Sequence, residues 1–224
     1  MLKEIFSAEM LRLMGAGLLE TLYMTAVSSA AAYAIGLVIG VVLVIGREDG
    51  IRPMPRLCRL LGWIVNFVRS APFLIFVVFV MPVTRFITGT TLGATAMLVP
   101  LTLGGAPFIA RMVESSLREV DAGVIEAAQS MGAGAWQLVT RVLLPEARPS
   151  LISGAAISVT TILSYSALAG FLGGGGLGAI ATNYGYYRGN SQIMLVMIVA
   201  LVLLVQLVQT VGGYLARRAD RRIK

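Results

Sequence analysis

Four windows of this 224-residue chain, 21–46, 86–110, 149–187 and 189–216, contain no charged side chain, and each is long enough to cross a lipid bilayer. Roughly 20 apolar residues, rising about 1.5 Å each in a helix, traverse the hydrocarbon layer. No water is present there to satisfy backbone N–H and C=O groups, so the spanning backbone must be satisfied mostly within helices. Composition agrees: 57% apolar residues, 13% charged residues and a mean hydropathy of +0.85 lie outside the range of a soluble globular domain.

Two stretches adjust the count of spans. Residues 70–84 are apolar but too short to span, so a helix begins upstream near Leu60, carries Arg69 within it and is kinked by Pro72, which frees the carbonyl of Val68. The window 149–187 is too long, and the run "GFLGGGGLGA" breaks it near Gly170, leaving 171–190 as a re-entrant or external loop. The expected fold class is all-α: a polytopic membrane protein with five transmembrane helices at about 21–46, 60–83, 88–110, 149–170 and 191–214. A mixed-charge segment, 1–16, precedes them as an interfacial amphipathic helix rather than a cleavable signal peptide, and 211–224 forms a basic tail.

The arginines orient these spans. Arg47, Arg52, Arg56 and Arg59 follow the first, Arg111, Arg118, Arg141 and Arg148 follow the third, and Arg217, Arg218, Arg221, Arg222 and Lys224 close the chain, all on one side. The other side holds only Lys3, Arg12, Arg85 and Arg188. The positive-inside rule then puts the N-terminus outside, the C-terminus in the cytoplasm and the loop between the third and fourth helices, 121–145, in the cytoplasm as well. With this use for the net charge of +7, nucleic-acid binding has no support. One cysteine, Cys58, and no histidine exclude a disulfide framework and a His/Cys metal site within one chain.

The cytoplasmic loop, "VIEAAQSMGAGAWQLVTRVLLPEARPS" at 124–150, is polar between apolar neighbours. Asp121 is an N-cap for a short helix with Val124, Ala127, Ala128 and Met131 near one face. Gly132 and Gly134 supply positions that can turn with positive φ, and a second helix runs from about Ala135 to Leu144, with Trp136, Val139 and Leu143 as its apolar face, until Pro145 and Pro149. Two such helices either rest on the lipid surface or dock on another protein; the small pair Ala127 and Ala128, which lets a backbone approach closely, tilts the balance to docking.

The spaced pattern Glu126-Ala127-Ala128, Gly132, Leu144-Pro145 resembles the EAA loop of permease subunits of ATP-binding-cassette importers of the type I fold. That resemblance makes 121–145 a coupling loop seated in a groove of a separate ATPase, within a transmembrane domain covering 17–210. The strings "ETLYMT" (20–25), "FVRSAPFL" (67–74), "VPLTLGGAPFIARMVE" (99–114) and "SYSALAGFLGGGGLGAIATNYGYYRGN" (164–190) are similar to the methionine-importer permeases. What that family implies is uptake of L- and D-methionine, and often related compounds, by two permeases and two ATPases in the bacterial inner membrane, fed by an extracytoplasmic methionine-binding protein. An importer of the same family for another amino acid or small solute is the alternative. No cofactor is expected in this chain: it has no Walker A sequence, so ATP and its Mg ion fall to the partner subunit.

Other residues carry weaker signals. Arg69 is a pathway charge, or a structural one that snorkels or pairs with the carbonyls freed at Pro72. Thr160, Thr161, Ser164, Tyr165 and Ser166 give the fourth span a polar density that either lines a solute route or bonds neighbouring helices. Gly36 and Gly40 make a G-x-x-x-G suited to tight packing within one subunit or to a dimer seam. Gly173, Gly175 and Gly178 match G-x-G-x-x-G only compositionally, with no preceding strand. An ion-coupled secondary transporter needs an intramembrane carboxylate or histidine, and the chain has only Glu20 and Glu114, at the span edges. No catalytic residue is assigned: an enzyme would lack a histidine base, and both lysines sit at the chain ends.

Overall fold

The structure is a computed structural model that describes residues 7–220. Lys3, Arg221, Arg222 and Lys224, used above in the orientation argument, and residues 1–6 of the expected interfacial segment lie outside the described residues. Every regular element among the described residues is helical, as expected: α1 (Ala8–Ile45), α2 (Pro55–Ser70), α3 (Phe73–Thr88), α4 (Ala94–Arg118), α5 (Ala122–Ser130), α6 (Ala135–Leu138), a π turn (Val139–Leu143), α7 (Leu144–Glu146), α8 (Arg148–Ala169), a 3-10 turn (Gly170–Leu172), α9 (Gly176–Ile180), a second π turn (Ala181–Tyr187) and α10 (Ser191–Ala219). Helices α1, α4, α10 and α8 with its 3-10 turn are each long and apolar enough to cross a membrane; α2 and α3 qualify only together, as a pair sharply bent at the break between them, which makes the spans four or five.

Local chemistry places the boundaries, and several differ from the sequence reading. Pro72 does not kink a helix over 60–83; it separates two helices. Ala71 is extended (φ −75°, ψ 131°), with its N–H turned back to Val68 O, because a residue before proline is pushed out of the helical region. The helix expected over 88–110 is α4, which starts at Ala94 and ends at Arg118. Gly89, left-handed at φ 76°, caps α3 by donating its N–H to Arg85 O, and Thr90 Oγ1 accepts Leu92 N–H in the turn that follows. The described part of 1–16 is not a separate interfacial helix: α1 begins at Ala8 and continues unbroken for 38 residues, about 57 Å. Residues 171–190, read as a loop, are mostly helical, formed by α9 and the second π turn.

The chain divides into two compact units. One comprises residues up to 31, 72–104 and 159–208. Its core gathers Leu177, Ile180, Ile193 and Met197 against Met10, Leu13, Met14 and Leu18 from the first turns of α1. Burial of that kind, roughly 1.5–3 kcal/mol per large apolar side chain, explains why α1 extends into a segment that also carries Arg12 and Glu20. The "ETL" stretch has a further role there. Glu20 Oε2 accepts Gly176 N–H at 2.6 Å and Thr21 Oγ1 accepts Leu177 N–H at 2.9 Å, satisfying donors at the start of α9 that no helical carbonyl can reach.

The other unit comprises 32–71, 105–158 and 209–220 of the described residues. In it Gly36 and Gly40 lie directly against α4: a Cβ at Gly36 would meet Ala106 O at 2.8 Å, and one at Gly40 would meet Ala110 O at 2.7 Å. The G-x-x-x-G therefore serves packing within one chain. Tyr33 donates its hydroxyl to Leu151 O at 3.2 Å, and Ser150 donates to Ser116 at 2.9 Å, tying α8 to α1 and α4.

Candidate functional site: the polar arm between α4 and α8

The arm begins where the sequence placed it. Asp121 Oδ1 accepts Gly123 N–H at 2.8 Å, which N-caps α5. No side chain of this nine-residue helix is buried, and a helix so short is marginal in water without packing. It ends through Gly132 N–H to Gln129 O at 2.9 Å and Ala133 N–H to Ala128 O at 3.1 Å. Gly132 sits at φ +82°, whereas Gly134, also expected to turn with positive φ, is at −72°. One left-handed residue suffices for the reversal. Gly134 instead starts α6, its N–H donated to Gln137 Oε1 at 3.1 Å.

The second half of the arm departs from the sequence reading in its helical period. It does not stop at Leu144 but continues to Glu146 through the π turn, in which Leu144 N–H reaches Val139 O. Pro145 has no N–H to complete an ordinary turn, and widening the preceding turn is a local solution that keeps the chain helical. The wider turn aligns residues five apart. Leu138 and Leu143 are fully buried with Val139, while Trp136, grouped above with Val139 and Leu143 on one apolar face, is 77% exposed. Leu138 is the anchor that sequence periodicity missed, because 3.6-residue spacing does not describe a π turn.

The arm therefore has a held half and a presented half. Glu126, Ala127, Gly132 and Pro145 are exposed, and Ala128 and Leu144 are half-buried. Met131, 89% exposed, is of a residue type that anchors protein interfaces, and Trp136 is a second large apolar side chain left uncovered. At the arm's root on α4, buried Glu114 accepts from Arg111 Nη1 at 2.5 Å and from Arg118, three and four residues away. Arg111 also donates to Asn66 Oδ1 at 3.0 Å and Gly62 O at 3.3 Å on α2, so the carboxylate holds on α4 the arginine that ties it to α2.

The pathway candidates divide between the two units. Arg69 is exposed in the unit containing the arm, its guanidinium 5.9 Å from the Phe108 ring centroid, a cation–π contact. Thr160, Ser164, Tyr165 and Ser166 belong to the other unit. There Ser164 donates to Thr160 O at 3.0 Å and Ser166 to Leu163 O at 2.7 Å, both within α8, and Tyr165 stacks on Phe73 with centroids 4.1 Å apart. Among the described residues no group of three or more His, Cys, Asp or Glu side chains is placed to hold a metal ion.

Several long apolar helices, interrupted by a short-helical arm that leaves large apolar side chains uncovered, define a polytopic helical membrane protein. The chain matches, over residues 32–224, the family described as binding-protein-dependent transport system inner membrane component, and it belongs to that family. Members are membrane components of transport systems, not enzymes. The chain is 48% identical over 203 residues to the probable D-methionine transport system permease protein MetI of Vibrio cholerae, covering 91% of this chain and 90% of that one. It is 48% identical over 164 residues to the D-methionine transport system permease protein MetI of Escherichia coli K12, covering 73% and 76%. Among solved structures, a chain of the MetNI methionine ABC transporter in an inward-facing conformation aligns at a TM-score of 0.95 and 46% identity, covering 96% of this chain and all of that one. An amino acid ABC transporter chain at 16% identity and a TM-score of 0.78 shares the fold alone.

Proposed function

We propose that this chain is the permease subunit of an ATP-driven methionine importer, taking L- and D-methionine, and that its arm transmits the movement of separate ATPase subunits to the spans. The near-full-length similarity to chains of methionine transporters carries the substrate reading. On the same basis the working assembly is two copies of this chain, two ATPases that bind ATP and Mg, and an extracytoplasmic methionine-binding protein. The arm reading rests on the exposed Glu126-Ala127, the half-buried Ala128 and Leu144, the turn at Gly132 and the unburied α5, whose order a partner groove would complete. Ion coupling is disfavoured because Glu114 is held by two arginines and Glu20 by a backbone N–H.

Reconstituted vesicles test this. The chain alone should move no methionine, and with ATPase and binding protein it should accumulate methionine only when ATP is supplied. Glu126→Lys should insert normally yet lose ATPase pull-down or transport, because a surface charge reversal acts on the partner rather than on the fold. Uptake driven by an ion gradient in the lone chain, or accumulation of another solute in place of methionine, would replace the reading.

The orientation proposed is N-terminus outside and arm in the cytoplasm. In a Cys58→Ser background, Glu119→Cys beside the arm should react with a membrane-impermeant thiol reagent only after cells are opened, and Thr90→Cys should react in intact cells; both positions are exposed. The reverse pattern inverts the topology.

A further inference from the structure

We propose that the groove between the C-terminal part of α1 and the arm binds an anionic phospholipid, one acyl chain lying along the groove and the phosphate at Arg52. The groove, about 410 Å³, has walls of Val38 and Val41 from α1 and Val139 and Leu144 from the arm, with Trp136 and Arg52 also lining it. Its floor on α1, from Leu37 to Ile45, runs about 12 Å, comparable with the roughly 15 Å that one leaflet's chains occupy.

Charge selects the headgroup. The segment after α1 is rich in arginine, but Arg47 pairs with Asp49 at 3.2 Å and Arg59 approaches Glu48 at 3.9 Å. Arg52 makes no ion pair among the described residues, and its N–H bonds Ile45 O at 3.0 Å, which sets it at the end of the α1 wall. An unpaired guanidinium at the mouth of an apolar groove complements a phosphate joined to an alkyl chain. Exposed Trp136 supplies the amphipathic ring that favours the headgroup level. A zwitterionic lipid offers the same chain but sets its own cation against Arg52.

The test uses the full-length chain in nanodiscs of equal parts phosphatidylglycerol and phosphatidylcholine, with retained lipid identified by native mass spectrometry. The parent should retain phosphatidylglycerol about fivefold over phosphatidylcholine, the preference one arginine near the surface confers. Arg52→Glu should bring the ratio to parity or below, and Val38→Trp, at a position exposed enough to accept it, should reduce retention of both lipids. Arg217→Glu, an equal change of charge in the last turn of α10, should keep the parent ratio. An unchanged preference in Arg52→Glu, equal loss in Arg217→Glu, or no lipid on the parent would each overturn the site. Because lipid rather than transport is measured, the result is independent of the methionine reading.

Discussion

Gly132→Val should leave the chain inserted in the membrane and reduce ATP-dependent uptake by about tenfold or more. At φ +82° a glycine is unstrained, whereas an L-residue there costs about 1–2 kcal/mol, and 1.4 kcal/mol is tenfold in the population of the required turn. Beyond the chain neighbours, no heavy atom lies within 4 Å of a Cβ built at this position, so the cost comes from the backbone conformation rather than from a clash at that carbon. Asparagine, which tolerates the left-handed region, should therefore retain most activity. Transport and ATPase pull-down for the valine and asparagine variants decide the matter. If valine transports like the parent, the arm's geometry is not what couples the subunits.

Glu114→Leu is expected to act on stability. The carboxylate is 5% exposed and lies between Arg111 and Arg118, whose side chains are 28% and 46% exposed. Removing one partner of a buried pair costs about 3–5 kcal/mol; solvent around the two arginines reduces this here to about 2 kcal/mol. The observable is a lower melting temperature in detergent and less protein in the membrane. Adding Arg111→Met to Glu114→Leu should recover much of the loss, since an apolar pair of similar volume is often as stable as a buried ion pair. A single variant as stable as the parent would show that the network contributes nothing measurable.

The all-helical fold was readable from apolar runs because lipid imposes it: a stretch of some 20 uncharged residues has few ways to satisfy its backbone there. The arm's start was equally readable, since Asp121 as a cap and Gly132 as a left-handed turn are choices made by a few adjacent residues. Other features depended on what the segments pack against. Whether Trp136 or Leu138 faces inward is decided by the π turn before Pro145, which shifts the helical phase. Where α1 begins is decided by Met10, Leu13 and Met14 meeting Leu177 and Ile180. Glu20, a carboxylate at a span edge in the sequence, acquires its partner, Gly176 N–H, from 156 positions away. Hydropathy, caps and turns are properties of neighbouring residues and could be read along the chain; helix phase, true ends and long-range partners exist only once distant segments share a core.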